Sequence, residues 1–217
     1  MNYVVIIPAR AGSKTIKNKN MMEFNNKPLL DWTIDSIKPF GLPTYLLTDS
    51  DEYISHAVKK SIEFIKQDKI GSSTKMDENL LPYIYPRFKD CHIILLQPTS
   101  PLRLFNIIQK CLEKYDGHSL LTVEEVGNWL YRNNITPLFD RFNRPLKQSP
   151  DFNSYQFYDG NILIRNVNEW YSEKCIVGEF PVLVKNSKIN SLQIDTLEDI
   201  EEFYNYINWE KYDILDK

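Results

Sequence analysis

Cysteine is scarce in this chain of 217 residues: Cys91, Cys111 and Cys175 are all there is, and no two form a C-x-x-C pair. An odd, unpaired set excludes a disulfide framework and a zinc ribbon, and leaves ordinary thiols. No stretch approaches the roughly 18 apolar residues needed to cross a bilayer. Residues 1–8 are apolar but short and have no basic leader, so the expectation is a cytoplasmic protein without membrane attachment. An excess of basic charge is missing too: 26 Lys and Arg against 29 Asp and Glu leave −3, unlike the net basic footprint of a dedicated nucleic-acid binder. His56, His92 and His118 stand apart without metal-ligand spacing. Neither GxxxxGK[ST] nor GxGxxG occurs, and there are no internal repeats.

Hydrophobic residues make up 42% and aromatics 13%, enough for a substantial core, and the length fits one domain over 1–217. Apolar β-branched runs at 3–7, 44–48, 61–65, 93–96, 119–123, 158–165 and 181–185 predict strands. Helical spacing predicts helices over 29–37, 52–61, 104–114 and 195–207. Asp49-Ser50-Asp51 offers caps for the second helix. Asp195 with Glu198 stands at capping-box distance at the start of the last. Alternation of strands and helices predicts an α/β fold with a mostly parallel central sheet flanked by helices. Residues 124–156 break the rhythm with Asn, Arg, Pro and aromatics, and read as a lid or dimerisation excursion. In such sheets ligands sit beyond the carboxyl ends of the strands. The loops at 9–20 and 97–103 both leave such ends.

The first of these loops carries the most information. Arg10, Lys14, Lys17 and Lys19 fall within ten positions directly after a buried strand. Gly12 lets backbone approach a ligand, and successive N–H groups in such a turn form an anion-binding concavity. Guanidinium and ammonium groups supply the countercharge of a triphosphate and stabilise charge developing in its transfer. A solvated basic loop without a ligand is the alternative at this point. Likewise Asp195 has two readings, a helix cap or a site carboxylate.

Ile7-Pro8-Ala9-Arg10-Ala11-Gly12-Ser13-Lys14, followed by Lys19-Asn20, resembles the opening motif of the acylneuraminate cytidylyltransferase family. Leu96-Gln97-Pro98-Thr99-Ser100-Pro101-Leu102-Arg103 resembles its second signature. Weaker likenesses follow in order: residues 28–34, Thr48-Asp49-Ser50, Asp159-Gly160-Asn161-Ile162, and Ile194-Asp195-Thr196 with Asp199. The resemblance implies a Rossmann-like nucleotidyltransferase fold and a homodimer in which the excursion reaches the neighbouring subunit. It implies transfer of CMP from CTP to an acidic sugar of the sialic-acid kind, with pyrophosphate released and Mg2+ required. It also implies roles for individual residues. Arg10 and Lys19 contact the phosphates and act with Asp195, which holds the metal. Ala9, Gly12, Ser13 and Lys14 shape the nucleotide loop, and Asn20 touches the cytidine. Gln97, Thr99, Ser100 and Arg103 line the space between nucleotide and sugar. Lys147, Asp159 and Gly160 fall on the acceptor side.

The chain departs from the family at several of these places. Gln193 stands where the first of two closing aspartates is expected, and Asp159 replaces an asparagine. Lys147 takes the place of an arginine, and Lys66-Gln67 the place of an Arg-Pro. Most of these changes fall on the acceptor side, so the resemblance speaks more firmly for CTP than for any particular acid. A different acidic acceptor, and a nucleotide-binding relative without turnover, remain open at this stage.

Overall fold

The structure is a computed structural model that describes residues 1–13, 15–68, 75–126, 131–132, 136–137 and 155–213. Lys14, Lys147 and most of the 124–156 excursion lie outside the described residues. The strands are β1 (Tyr3–Pro8), β2 (Glu23–Phe24), β3 (Lys27–Pro28), β4 (Thr44–Thr48), β5 (Glu63–Lys66), β6 (His92–Leu96), β7 (Ser119–Val126), β8 (Tyr131–Arg132), β9 (Thr136–Pro137), β10 (Tyr155–Asn166) and β11 (Val182–Lys185). The helices are α1 (Leu29–Ile37), α2 (Asp51–Lys59), α3 (Met76–Phe88), α4 (Phe105–Lys114), α5 (Val167–Glu173) and α6 (Leu197–Asp213).

Seven strands form one sheet in the order β11-β7-β10-β6-β1-β4-β5. β5, β4, β1 and β6 run parallel, as do β11 and β7, while β10 is antiparallel to both its neighbours. The continuous apolar runs are explained by burial on both faces. In β1, Val5 and Ile7 point into a core built with α1, α2 and α4. Val4 and Ile6, half a pleat away, point into a second core with α3 and α5. A third cluster lies beyond the sheet edge, where Ile16, Phe24, Leu29, Leu102, Leu192, Ile194 and Phe203 meet. Phe203 stands edge-on to Phe24 and Trp32, with ring centroids 5.2 and 5.3 Å away.

Three differences from the sequence expectation bear on the site. α3 was not expected, because Pro82 and Pro86 interrupt its pattern. It forms nonetheless, with Leu80, Leu81, Ile84 and Phe88 buried under the sheet. β7 and β10 are longer than their apolar runs. The capping box of α6 sits one residue later than expected. Asp199 accepts from the N–H of Asp195 and Thr196 (2.8 and 2.6 Å), and Thr196 Oγ1 accepts from Asp199 N at 3.3 Å. That leaves the Asp195 carboxylate free of cap duty.

Candidate active site

From β1 the chain crosses to β4 and β5 on one side, then returns to β6 on the other. The crevice between β1 and β6 is therefore the point where strand order reverses, and the carboxyl ends of β5, β4, β1 and β6 open onto one edge. The turn after β1 is pinned there from several directions. Ala9 N donates to Leu47 O (2.9 Å) and Ala11 N to Asp49 Oδ1 (2.8 Å). Asn20 Nδ2 donates to Arg10 O (3.2 Å). Asn18, held left-handed at φ 54°, accepts from the Tyr53 hydroxyl at 2.8 Å. Burial pushes the Tyr53 phenol up to about 12, so it stays a neutral donor at physiological pH. Gly12 has φ +86°, and a Cβ there would meet nothing, so glycine is required by the backbone angle alone. Asp49 holds this turn, and the cap of α2 falls to Ser50, whose Oγ accepts from Tyr53 N.

Lys19 and Asp195, 176 positions apart, meet at this turn. Lys19 Nζ donates to Asp195 Oδ1 at 2.7 Å and to Ile194 O at 2.6 Å. The lysine side chain is only 8% exposed and the aspartate 61%, so the cation is fixed and the carboxylate faces outward. The backbone carries the second signature loop into the same arrangement, with Ile194 N donating to Thr99 O at 2.8 Å. Arg10 has no side-chain hydrogen bond or ion pair with any described residue.

A cleft of about 430 Å³ opens over these groups. Of the residues expected from sequence, Ala9, Arg10, Ser13, Lys19, Asn20, Gln97, Thr99 and Asp195 line it. Gln67, Met76, Asn79 and Leu80 line its other end. Sequence reasoning gave none of these four a site role; Gln67 was noted only within Lys66-Gln67, which stands in the place of an Arg-Pro, and Met76, Asn79 and Leu80 carried no signal. Asp195 and Gln193 also border a second recess of about 270 Å³, together with Glu124, Lys188, Asp199 and Glu202.

Several residues expected to meet an acceptor are instead interior. Arg103 is 4% exposed. Its guanidinium donates to Thr33 Oγ1, Gln97 O and Asn161 O at 3.0–3.3 Å, and burial lowers it to about 10, still a cation at neutral pH. Asp159 is buried as well. It accepts from Thr122 Oγ1 (2.6 Å), Asn161 N (3.0 Å), Asn186 Nδ2 (2.8 Å) and Ser191 Oγ (3.1 Å). Ser100 is fully buried. Gln193 ties the network together: its Oε1 accepts from Thr99 Oγ1 (2.7 Å), and its Nε2 donates to Ser100 Oγ and to Asp159 O (2.7 Å). Gly160 leaves room for that amide. The reason is physical: a polar group in a βαβ loop reaches solvent only if the next layer leaves it uncovered, and here β10 and the 186–193 segment cover it.

Solved structures share the fold. The fold is that of the nucleotidyltransferases. It matches a structure of CMP:2-keto-3-deoxy-manno-octonic acid synthetase complexed with CTP at a TM-score of 0.68 and 14% identity, covering 97% of this chain and 100% of that one. The chain belongs to the cytidylyltransferase family, whose model matches residues 4–119, just over half of its length. N-acylneuraminate cytidylyltransferase of Streptococcus agalactiae serotype V is 26% identical over 216 residues, which cover 92% of this chain and 52% of that protein. Pseudaminic acid cytidylyltransferase of Campylobacter jejuni serotype O:2 is 26% identical over 219 residues, which cover 93% of this chain and 94% of that protein. The chain spans about half the length of the N-acylneuraminate cytidylyltransferases it matches.

Proposed function

We propose that the protein is a CTP-dependent cytidylyltransferase that transfers CMP to a hydroxyl of an acidic sugar related to the sialic acids. The acceptor oxygen forms a bond to the α-phosphorus of CTP, the bond from that phosphorus to the bridging oxygen breaks, and pyrophosphate leaves. The acceptor hydroxyl gives up its proton to solvent. The observation that carries the reading is the meeting of Lys19 and Asp195 at 2.7 Å beneath an unpaired Arg10, at the strand-order reversal of the sheet. Arg10 and the Lys19 ammonium, which keeps one N–H uncommitted, face charge that grows on the departing phosphates. Ser13 and the backbone around Gly12 hold the phosphate oxygens, and Asn20 and Gln97 fix the nucleotide beside them.

Magnesium belongs to this reading through Asp195. Its carboxylate is exposed and has one oxygen beyond the Lys19 bond, which suits an ion usually bound by one or two carboxylates plus substrate phosphates. A bound magnesium ion would neutralise phosphate charge there. Gln193, with its amide spent on Thr99, Ser100 and Asp159, positions this edge of the cleft rather than serving as a ligand. The reading extends to a homodimer in the cytoplasm; among the described residues no helix is long and apolar enough to cross a membrane.

The test is pyrophosphate release from CTP and magnesium with a panel of sugar acids, for wild type and Arg10→Ala. Wild type is expected to turn over with a nonulosonic acid. Arg10→Ala is expected to lose roughly 10²-fold or more in kcat/KM, the usual scale for removing a transition-state charge partner. An Arg10→Ala enzyme with wild-type kcat/KM would remove the phosphate role of the turn.

A further inference from the structure

α3 borders the cleft with Met76 and Leu80, and with another face it borders a separate recess of about 700 Å³, the larger of the two. Glu78, Leu81, Pro82, Tyr85 and Pro86 form that face, at three- and four-residue spacing along the helix. Two features of the recess cost the fold stability. Proline within a helix removes a backbone hydrogen bond and crowds the preceding turn, yet Pro82 and Pro86 both lie inside α3 and both line the recess. Lys174 ends α5 in the left-handed conformation, at φ 53°, where glycine is the usual residue. Backbone strain of this kind gathers where function needs a side chain in one place. Here the strained cap sets the ammonium of Lys174 3.3 Å from the ring centroid of Tyr171.

The lining is suited to a flat ligand. Tyr85 and Tyr171 stack with centroids 3.7 Å apart and planes 16° from parallel. Lys174 covers the other face of Tyr171, so within this stack only the outer face of Tyr85 has neither a ring nor a cation against it among the described residues. Uncommitted polar groups surround it. The Lys75 ammonium, the Glu78 carboxylate and the two tyrosine hydroxyls make no hydrogen bond or ion pair with any described residue. Asp77 differs: its Oδ1 accepts from Trp170 Nε1 (2.7 Å) and Ile176 N (2.6 Å), fastening α3 to α5 and to the segment after it. An apolar recess with a few convergent polar groups is the usual form of a small-molecule site.

We propose that this recess is a second ligand site, for a planar ring that carries an N–H and an anionic group, and that its filling is felt at the cleft through α3. The ring lies on Tyr85, its N–H donates to Glu78, and the anionic group meets the ammonium groups of Lys75 and Lys174. Nucleotides with an amino-substituted base have this chemistry, and so do indole carboxylic acids. The coupling follows from α3, a single packed element with residues at both the cleft and the recess. That part alone rests on the proposed CTP site.

The experiment titrates AMP and indole-3-acetate calorimetrically into wild type, Lys174→Gly and Tyr85→Leu, without CTP and with saturating CTP and magnesium to fill the cleft. Wild type is expected to bind at least one probe, one to one, while CTP is bound. Binding of AMP alone names a nucleotide as the source, and of indole-3-acetate alone an aromatic acid. Each variant is expected to lose on the order of tenfold in that affinity, the scale of one stacking or charge-assisted contact. Lys174→Gly should also melt no lower than wild type, because glycine takes the left-handed cap without strain, so its lost affinity is not a damaged fold. Probe and CTP should change each other's affinity by the same factor, about fivefold or more. A wild type that takes up neither probe, or variants that bind as wild type does, would overturn the site, and a Lys174→Gly protein that melts lower would remove the strain that points to it. A CTP affinity indifferent to bound probe would overturn the coupling. If wild type binds no CTP at all, the cleft reading falls, and the probe titrations still decide the recess.

Discussion

An ammonium has three N–H groups, and Lys19 has spent two of them on Ile194 O and Asp195 Oδ1. Burial of the lysine stem fixes where the third points, and this is how a flexible side chain becomes part of a rigid site. Asp159 shows the opposite outcome for a charged residue. Its two oxygens accept four hydrogen bonds, and no solvent or ligand is needed to satisfy them. In Asp159→Asn one oxygen becomes an amide that faces donors. Such a reversal should cost about 2–4 kcal/mol of stability, measurable as a lower urea midpoint with an unchanged slope. If the stability stayed at the wild-type value and only the KM for the acceptor rose, Asp159 would be returned to the substrate. The cleft residues on the turn after β1 were legible in the sequence, because a cationic cluster after a buried strand has few structural uses. The interior fate of Arg103 and Asp159 was not, because burial of a loop residue is decided by segments far away in sequence.

At the level of elements, β10 repays the closest look. Its pairing with β7 shifts register between Tyr158 and Leu163, and Gly160 in that stretch has φ +73°. A Cβ at Gly160 would meet the Gln193 amide at 3.0–3.1 Å. Gly160→Ala therefore combines roughly 1–2 kcal/mol of left-handed backbone cost with displacement of the amide that holds Thr99 and Ser100. A lower melting temperature and a reduced kcat/KM are expected together. Undiminished kcat/KM would deprive Gln193 of its positioning role. The strand expected over 158–165 already ran through the polar triplet Asp159-Gly160-Asn161; what it left out at its start was Tyr155, Gln156 and Phe157, because Tyr155 and Gln156 fell within the stretch read as an excursion. The offset of the α6 capping box has another origin. Asp195/Glu198 and Thr196/Asp199 both satisfy the local pattern, and the bond of Asp195 to Lys19 selects between them. α3 escaped notice because prolines at 82 and 86 look like breaks. The apolar residues around them sit under the sheet and hold the helix in place.

At the scale of the whole molecule, the parallel order of the central strands was written in their doubly buried runs, and that order alone places the two signature loops on one edge. What the runs did not reveal is the third hydrophobic cluster, since its members come from separate loops and the last helix. That cluster joins the cationic turn, through Ile16, to the segment bearing Asp195, through Ile194. Phe203 is its fully buried centre. Phe203→Ala should cost about 3–5 kcal/mol, as truncation of a buried aromatic does. It should also weaken CTP binding without touching the cleft. A variant that lost stability yet bound CTP unchanged would show the two sides of the cleft to be held by other means.

The same cluster has a consequence for synthesis. The ribosome delivers the turn with its lysine at the start and the matching aspartate 176 residues later. All seven strands of the main sheet have been made before Ile194 appears. A nascent chain stopped between these points would carry the sheet and the basic turn while lacking the acid that seats the lysine. Interrupted translation would thus leave the basic turn without the Asp195 carboxylate and the Ile194 carbonyl that hold Lys19.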